Sequence, residues 1–331
     1  MTGILAHRQG SLVRSGFRIV GKLGPLIGLL LVFALFSLIG PESFSSPYNL
    51  QTMARQTAIV GTAALGMTLV IIAGGIDLSV GSMIALVTVV IAATLQAGFD
   101  SWIAALAGIL VGMLAGFFNG VFITRLKVVP FIVTLGTLLI LRGIAKGFAH
   151  EQKIDAPLTW LKDILAALPP ERSWQLLPPG VWLMILLAIG VVILLHYMRL
   201  GKHIIAVGSN EQTARLCGVP VERVKIIVYT TSAAFAGVAG VLQFSRLTVG
   251  DPTVATGVEL DVIAAVVIGG GSLSGGEGSV LGTIVGALIM TVIRSGCSQM
   301  GLPNWVQEIV TGGIIVVAVA LDRWRHRRQD S

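Results

Sequence analysis

The sequence predicts an all-α integral membrane protein, a polytopic bundle of about ten transmembrane helices. Three observations carry this. Of its 331 residues 54% are hydrophobic and only 12% charged, whereas a soluble domain has about 25% charged; so few charges cannot keep a surface of this size in water. The apolar residues fall in runs of about 20, the length that crosses a bilayer as a helix. Glycine is abundant, at 41 residues, as in membrane helices that pack through small side chains. High apolar content also excludes disorder. A transmembrane barrel would alternate polar and apolar residues, which these runs do not.

The spans are expected at about 24–40, 57–74, 78–97, 102–124, 128–148, 180–197, 224–245, 258–272, 278–296 and 305–321. The first lacks the short apolar region and small-residue cleavage site of a signal peptide and is kept as an uncleaved helix. The eighth is short and ends in a glycine run, so it is expected to be broken or re-entrant. With the N-terminus inside, fifteen of the 23 Lys and Arg fall on cytoplasmic segments, seven outside, and Arg142 is left within a span. This bias places both termini in the cytoplasm and accounts for the net charge of +7 without a nucleic-acid partner. No linker divides the chain. It is a single domain over 1–331, with a membrane bundle (24–321), tails (1–23 and 322–331), a proline-containing extracytoplasmic loop with a short helix (149–179), and a long cytoplasmic loop (199–223).

Several motifs are candidates for function. Gly108, Gly112, Gly116 and Gly120 recur every four residues on one span, and Gly278, Gly282 and Gly286 on another. Each set lies along one helix face, suited either to close packing within the chain or to a subunit interface or gate. In AGGIDLSVGS (Ala73–Ser82), Gly74 and Gly75 end one helix, and Asp77 or Ser79 can cap the next. A carboxylate at membrane depth equally suits a pathway. Glu259 and Asp261 open the eighth span at its outer mouth. They lie on different faces and suit either a solvated helix start or contact with sugar hydroxyls or a docked partner. Glu308 has the same alternatives. Asn119 either faces a path or bonds between helices. VIIAGGIDLSVGS (Val70–Ser82) and VIGGGSLSGGEG (Val267–Gly278) are alike, as an internal repeat or as two helices ending in similar turns.

Other features exclude functions. LSGGE (Leu273–Glu277) looks like an ATPase signature, but no phosphate loop of the form G-x-x-x-x-G-K-[ST] accompanies it, so the chain is not expected to hydrolyse ATP. Cys217 and Cys297 fall on opposite sides of the membrane, where no disulfide is expected between them. No metal-ligand spacing occurs. The five histidines lie at tails and span edges and make no catalytic constellation.

The segment LGKHIIAVGSNEQTARLCGVPVERVK (Leu200–Lys225) is the longest cytoplasmic stretch. Ser209 with Gln212 forms a capping box opening a short helix, Asn210–Cys217. Gly218 then suits its C-terminal cap and Pro220 its stop. Such a free-standing helix suits contact with a cytoplasmic partner better than lipid anchoring.

Four stretches carry a resemblance. GMTLVIIAGGIDLSVGSMIAL (Gly66–Leu86), NGVFITRLKVVPFIVTLGTLLILRGIA (Asn119–Ala145), GKHIIAVGSNEQTARLCGVPVERVKI (Gly201–Ile226) and ELDVIAAVVIGGGSLSGGEGSVLGTIVGALI (Glu259–Ile289) make the chain similar to the permease subunits of ribose-type carbohydrate ABC importers. The resemblance implies a partner ATPase, which uses ATP and Mg, an extracytoplasmic sugar-binding protein that delivers a monosaccharide, and a second permease subunit, identical or a paralogue. It implies no cofactor on this chain and a location in the bacterial inner membrane. It also implies that Asn210–Cys217 is the coupling helix docked on the ATPase, through Ser209, Asn210, Glu211, Gln212, Ala214, Arg215 and Gly218. The permease would need no strong sugar site of its own, which fits a shortage of buried polar residues. The alternative is a gradient-driven transporter or channel using Asp77, Glu259, Asp261 and Glu308 as ion sites.

Overall fold

The computed structural model of the protein describes residues 24–168 and 175–327. The expected tail 1–23, residues 328–331 and the middle of the long outer loop, 169–174, lie outside the described residues. Most of the described residues are helical. In order come α1 (Gly24–Ile39), α2 (Pro47–Ile72), α3 (Val80–Gln96), α4 (Ser101–Arg125), α5 (Pro130–Phe148), α6 (Pro179–Tyr197), α7 (Arg199–Ser209), α8 (Glu211–Leu216), α9 (Val221–Leu247), α10 (Val258–Ile268), α11 (Val280–Gln299) and α12 (Asn304–Arg327). Six of them, α2, α4, α5, α6, α9 and α11, are long and apolar enough to cross a membrane.

α2 and α9 form the centre. From Thr57 to Ile72 nearly every residue of α2 is buried, and its start is fixed by Pro47 and by Ser46, whose hydroxyl accepts the Asn49 N–H. The outer helices do the reverse. α4, α5 and α6 turn Leu110, Leu114, Ile132, Leu139, Leu186 and Ile189 outward. A helix that is apolar on its outer as well as its inner side is suited to lipid rather than water.

Both glycine faces are used within the chain. A Cβ at Gly116 would strike Ala233 and the Tyr229 carbonyl of α9; at Gly112 it would lie 3.1 Å from the Ala233 oxygen, and at Gly120 2.7 Å from the Ile226 Cα. Gly108 faces Val87 and Ile91 of α3. On α11, Gly282 sits against the backbone of Gly269 and Gly286 against that of Ala265; Gly278 precedes the helix, in the turn, and lies against Ile72, so the expected face of three glycines is a face of two. These faces are filled by neighbouring helices of the same chain, which leaves no room on them for a second subunit.

α10 and the connection that leads into it do not make a full crossing. α10 has 11 residues, about 16 Å at 1.5 Å per residue, roughly half of a hydrocarbon core. The connection 248–257 descends along α3 to meet it. The Asp251 N–H donates to Thr88 Oγ1 at 3.2 Å, and a Cβ at Gly81, in the first turn of α3, would run into the Ala255 carbonyl. Irregular backbone at this depth must have its polar groups satisfied by protein. Arg142 of α5 does so, donating to the carbonyls of Pro252 (2.9 Å) and Val254 (2.7 Å). The expectation of a broken span at 258–272 therefore resolves into a dipping connection and a half-length helix. Glu259 and Asp261 consequently lie inside the bundle, level with the start of α3, and not at an outer mouth.

A small clasp closes the end of the bundle where α3 finishes. The strand β1 (Ile154–Asp155) pairs antiparallel with β2 (Val249–Gly250), and Gln96 donates to the Asp155 carbonyl. Lys153 reaches Asp251 at 3.4 Å. The short helix expected in this loop is the 3-10 turn Trp160–Ile164. Its Lys162 carbonyl and the Leu165 N–H both bond the Ser245 hydroxyl of α9.

Candidate functional site

At the opposite end of the bundle, the stretch taken from sequence as one cytoplasmic loop is two helices. α7 runs to Ser209, and α8 is the six-residue turn that follows. The cap of α8 is Asn210, not Ser209. Asn210 is in an extended conformation and its Oδ1 accepts the Thr213 N–H at 2.8 Å, while the Ser209 hydroxyl bonds back to the Ile205 carbonyl within α7. The capping box with Gln212 therefore does not form, because the preceding helix claims its serine. Gly218 at φ +82° ends α8, with its N–H on the Arg215 carbonyl.

α8 is held to α9 by charge and presents the rest of itself outward. Glu211 receives Lys225 Nζ at 2.6 Å and Arg215 at 3.4 Å, and Arg215 also faces Glu222 at 3.9 Å. The hydrogen bond from Lys225 holds the Glu211 carboxyl below the usual glutamate range. Ala214 is the one buried residue of α8. Glu211, Gln212, Arg215 and the fully presented Leu216, 88% exposed, line a shallow hollow.

Behind α8 two glycine turns meet the last turn of α7. A Cβ on Gly208 of α7 would strike the carbonyl oxygen of Ile72, where α2 ends, and lie 2.7 Å from the Gly276 nitrogen. Gly276 donates to that same carbonyl at 2.9 Å. Gly275, at φ +86°, lies against Gly74 and Gly208, and Gly276 lies against Ser209. The two similar segments noted in the sequence thus pack on one another and on the α7–α8 elbow.

Beyond this junction lies Asp77. It is fully buried, and its Oδ1 accepts both the Ser79 N–H (2.9 Å) and the Ser79 hydroxyl (2.5 Å). Asn119 of α4 donates to Ser79 at 3.0 Å, and Tyr229 of α9 lies beside Gly75 and the Ile76 carbonyl. The structure thus brings Asp77, Ser79 and Asn119 into one bonded group that locks the turn between α2 and α3 to α4. Glu259 and Asp261 are elsewhere and point apart. Glu259 accepts the Gly257 N–H and abuts Gly81, whereas Asp261 pairs with Arg294 of α11 at 2.6 Å. Glu308 is exposed at the start of α12.

Asp261 and Arg294 open onto a cavity of about 380 Å³ that sequence reasoning did not anticipate. α2 contributes Asn49, Thr52 and Gln56; α9 contributes Gln243 and Arg246; α11 contributes Thr291, Arg294 and Ser295. Asn49 is a hub, accepting from Ser295 (3.1 Å) and Gln299 (3.3 Å) and donating to Phe44. The expected shortage of buried polar residues is therefore corrected, because polar side chains of five helices, Gln307 of α12 among them, converge on one space. The signal was present as spacing. On α2 the positions are i, i+3, i+7, and on α11 they are i, i+3, i+4, one helix face in each case.

Over residues 49–319 the sequence matches the family described as branched-chain amino acid transport system / permease component. The chain belongs to this family. The ribose import permease protein of Escherichia coli K12 is 37% identical over 90% of the permease and 92% of that protein. That of Bacillus subtilis is 38% identical over 92% and 94%. The L-arabinose ABC transporter permease protein of Azospirillum brasilense is 32% identical over 95% and 91%. No solved structure matches. With six helices long and apolar enough to span, the permease is a multi-pass membrane protein.

Proposed function

We propose that the permease is the transmembrane subunit of an ATP-driven importer of a monosaccharide-class solute in a bacterial inner membrane. The observation that carries this is full-length similarity to permeases named for ribose and arabinose, together with an exposed, capped α8 seated on the junction of α2, α7 and the α10–α11 turn. In this reading α8 is the coupling helix at the cytoplasmic face. Ser209, Asn210, Glu211, Gln212, Ala214, Arg215 and Gly218 shape its contact with an ATPase subunit, which uses the ATP and Mg. The permease itself holds no cofactor. About ten helices cross or enter the bilayer, both termini are cytoplasmic, and a second permease, identical or paralogous, completes the membrane unit. The clasped end with the polar cavity then faces the extracytoplasmic solute-binding protein.

Movement of the ATPase would push α8, and the bare backbone contacts at Gly208, Gly275 and Gly276 give the push no side chains to deform. Interfaces packed this closely switch between discrete arrangements rather than flex. The gradient-driven alternative is less well supported, since Asp77 is sealed within its own turn and Asp261 is neutralised by Arg294. Co-purification from the native host, followed by mass spectrometry, tests the proposal. An ATPase and a secreted solute-binding protein are the expected companions. A chain that purifies alone and carries solute into liposomes without ATP would refute it.

A further inference from the structure

The cavity carries more positive charge than a neutral sugar requires. Arg246 of α9 and Arg294 of α11 line it. Among the described lining residues the one acid is Asp261, and it is committed to Arg294. The Arg246 guanidinium is thus left without a carboxylate at a concave site formed by largely apolar helices. Unbalanced charge of this kind is costly to take out of water. A neutral sugar would offer it hydroxyl groups alone. A carboxylate or phosphate would offer the planar, two-oxygen match that guanidinium groups favour.

The remaining lining suits hydroxyl groups. Asp261 Oδ1 and Thr291 Oγ1 are buried with no hydrogen-bond partner, on residues only 1% and 3% exposed. Gln243, 8% exposed, and Gln56 add amides that both donate and accept. The volume of about 380 Å³ falls at the small end of ligand sites, fitting one sugar-sized solute.

We propose that this cavity binds a polyhydroxylated solute bearing one anionic group, such as a sugar acid or sugar phosphate, in preference to a neutral sugar. Arg246 holds the anion, while Gln56 and Gln243 hold the hydroxyls. The inference rests on the importer reading for the direction of travel, but not for the binding itself.

The test uses the purified full chain in lipid nanodiscs, with binding measured calorimetrically for matched probes: glucuronate, glucose and glucose 6-phosphate, then galacturonate, galactose and galactose 6-phosphate. The anionic member of at least one set should bind about tenfold more tightly than its neutral counterpart, a difference of about 1.4 kcal/mol. Which anion binds identifies the source of the charge. Arg246→Gln should remove most of that preference. It removes a charge that has no carboxylate partner, so folding should survive. Equal binding of charged and neutral probes, no binding of any probe, or an anion preference untouched by the variant would each overturn the inference. So would a variant that loses only the attachment of a co-purified acidic binding protein. A neutral-selective chain that still purifies with an ATPase would refute this inference and leave the importer reading standing.

Discussion

Gly208→Ala is the smallest change that probes how α8 is tied to the bundle. The added methyl would strike the Ile72 carbonyl oxygen and sit 2.7 Å from the Gly276 nitrogen and 2.8 Å from the Ile72 carbonyl carbon. All three are backbone atoms, so no rotamer change relieves the contact. Overpacking at a closed site costs about 1–3 kcal/mol, and the upper end applies where backbone must move. The Gly276 to Ile72 hydrogen bond is wedged open as well, at about 1 kcal/mol. Better helix propensity returns up to about 1 kcal/mol, leaving a net loss of about 2–3 kcal/mol. Gly143→Ala is the control. It lies inside α5, nothing lies within 4 Å of its Cβ position, and propensity alone should make it neutral or slightly stabilising. The assay is the thermal unfolding midpoint of each variant in detergent, with ATP-dependent uptake per copy in the membrane. Gly208→Ala should unfold earlier and transport poorly at normal membrane abundance. If it matches Gly143→Ala in both measurements, the backbone junction behind α8 does not exist as described.

Arg294→Gln should destabilise the protein by about 3 kcal/mol, since it strands the buried Asp261 carboxylate, whereas Asp261→Asn should cost less because Arg294 is 42% exposed and can turn to water; chemical denaturation of both variants checks the order. Arg215→Glu, or Ala214→Pro in the middle of α8, should abolish uptake while the chain still reaches the membrane, as read by uptake alongside quantitative blotting; normal uptake would refute a coupling role for α8. The Glu211 carboxyl is depressed by Lys225, so the pair's contribution is fully present above the ordinary glutamate value of about 4.3 and is lost as pH falls through the lower folded value. Hydrogen exchange of α8 amides should accelerate over that range, and Glu211→Gln should bring the faster exchange to neutral pH. Gly116→Leu should prevent assembly of the α4–α9 contact, seen as loss of the monodisperse protein in detergent.

Composition and run length were enough for the fold class, because a bilayer demands long apolar helices and little else has that signature. Glycine spacing of four likewise exposed the faces of α4 and α11, since close approach requires the absence of a side chain at each turn. Local chemistry was less decisive where two elements competed. Ser209 had the right spacing to cap α8, but α7 uses its hydroxyl first, and α7 was missed because its apolar face is short. The depth of Glu259 and Asp261 was misjudged for a different reason. Hydropathy cannot distinguish a helix that starts at the membrane surface from one reached by a descending connection, and the device that allows the descent, Arg142 on two carbonyls, joins residues over a hundred positions apart. The cavity was legible only once five helices were set side by side. Each contributes one to a few polar residues, too sparse to stand out in its own apolar run.

α10 bears on how far a movement can be carried. Its first turns hold Asp261 at the cavity, and the turn that follows its last residue reaches Gly208. With 11 residues, no proline and no internal glycine, it has nowhere to bend. The elbow meets it through the glycine turn 269–279, so what α10 can carry rigidly is a displacement of its own last turn, delivered to the Asp261–Arg294 pair at its first. The salt bridge is then the joint that such a displacement loads.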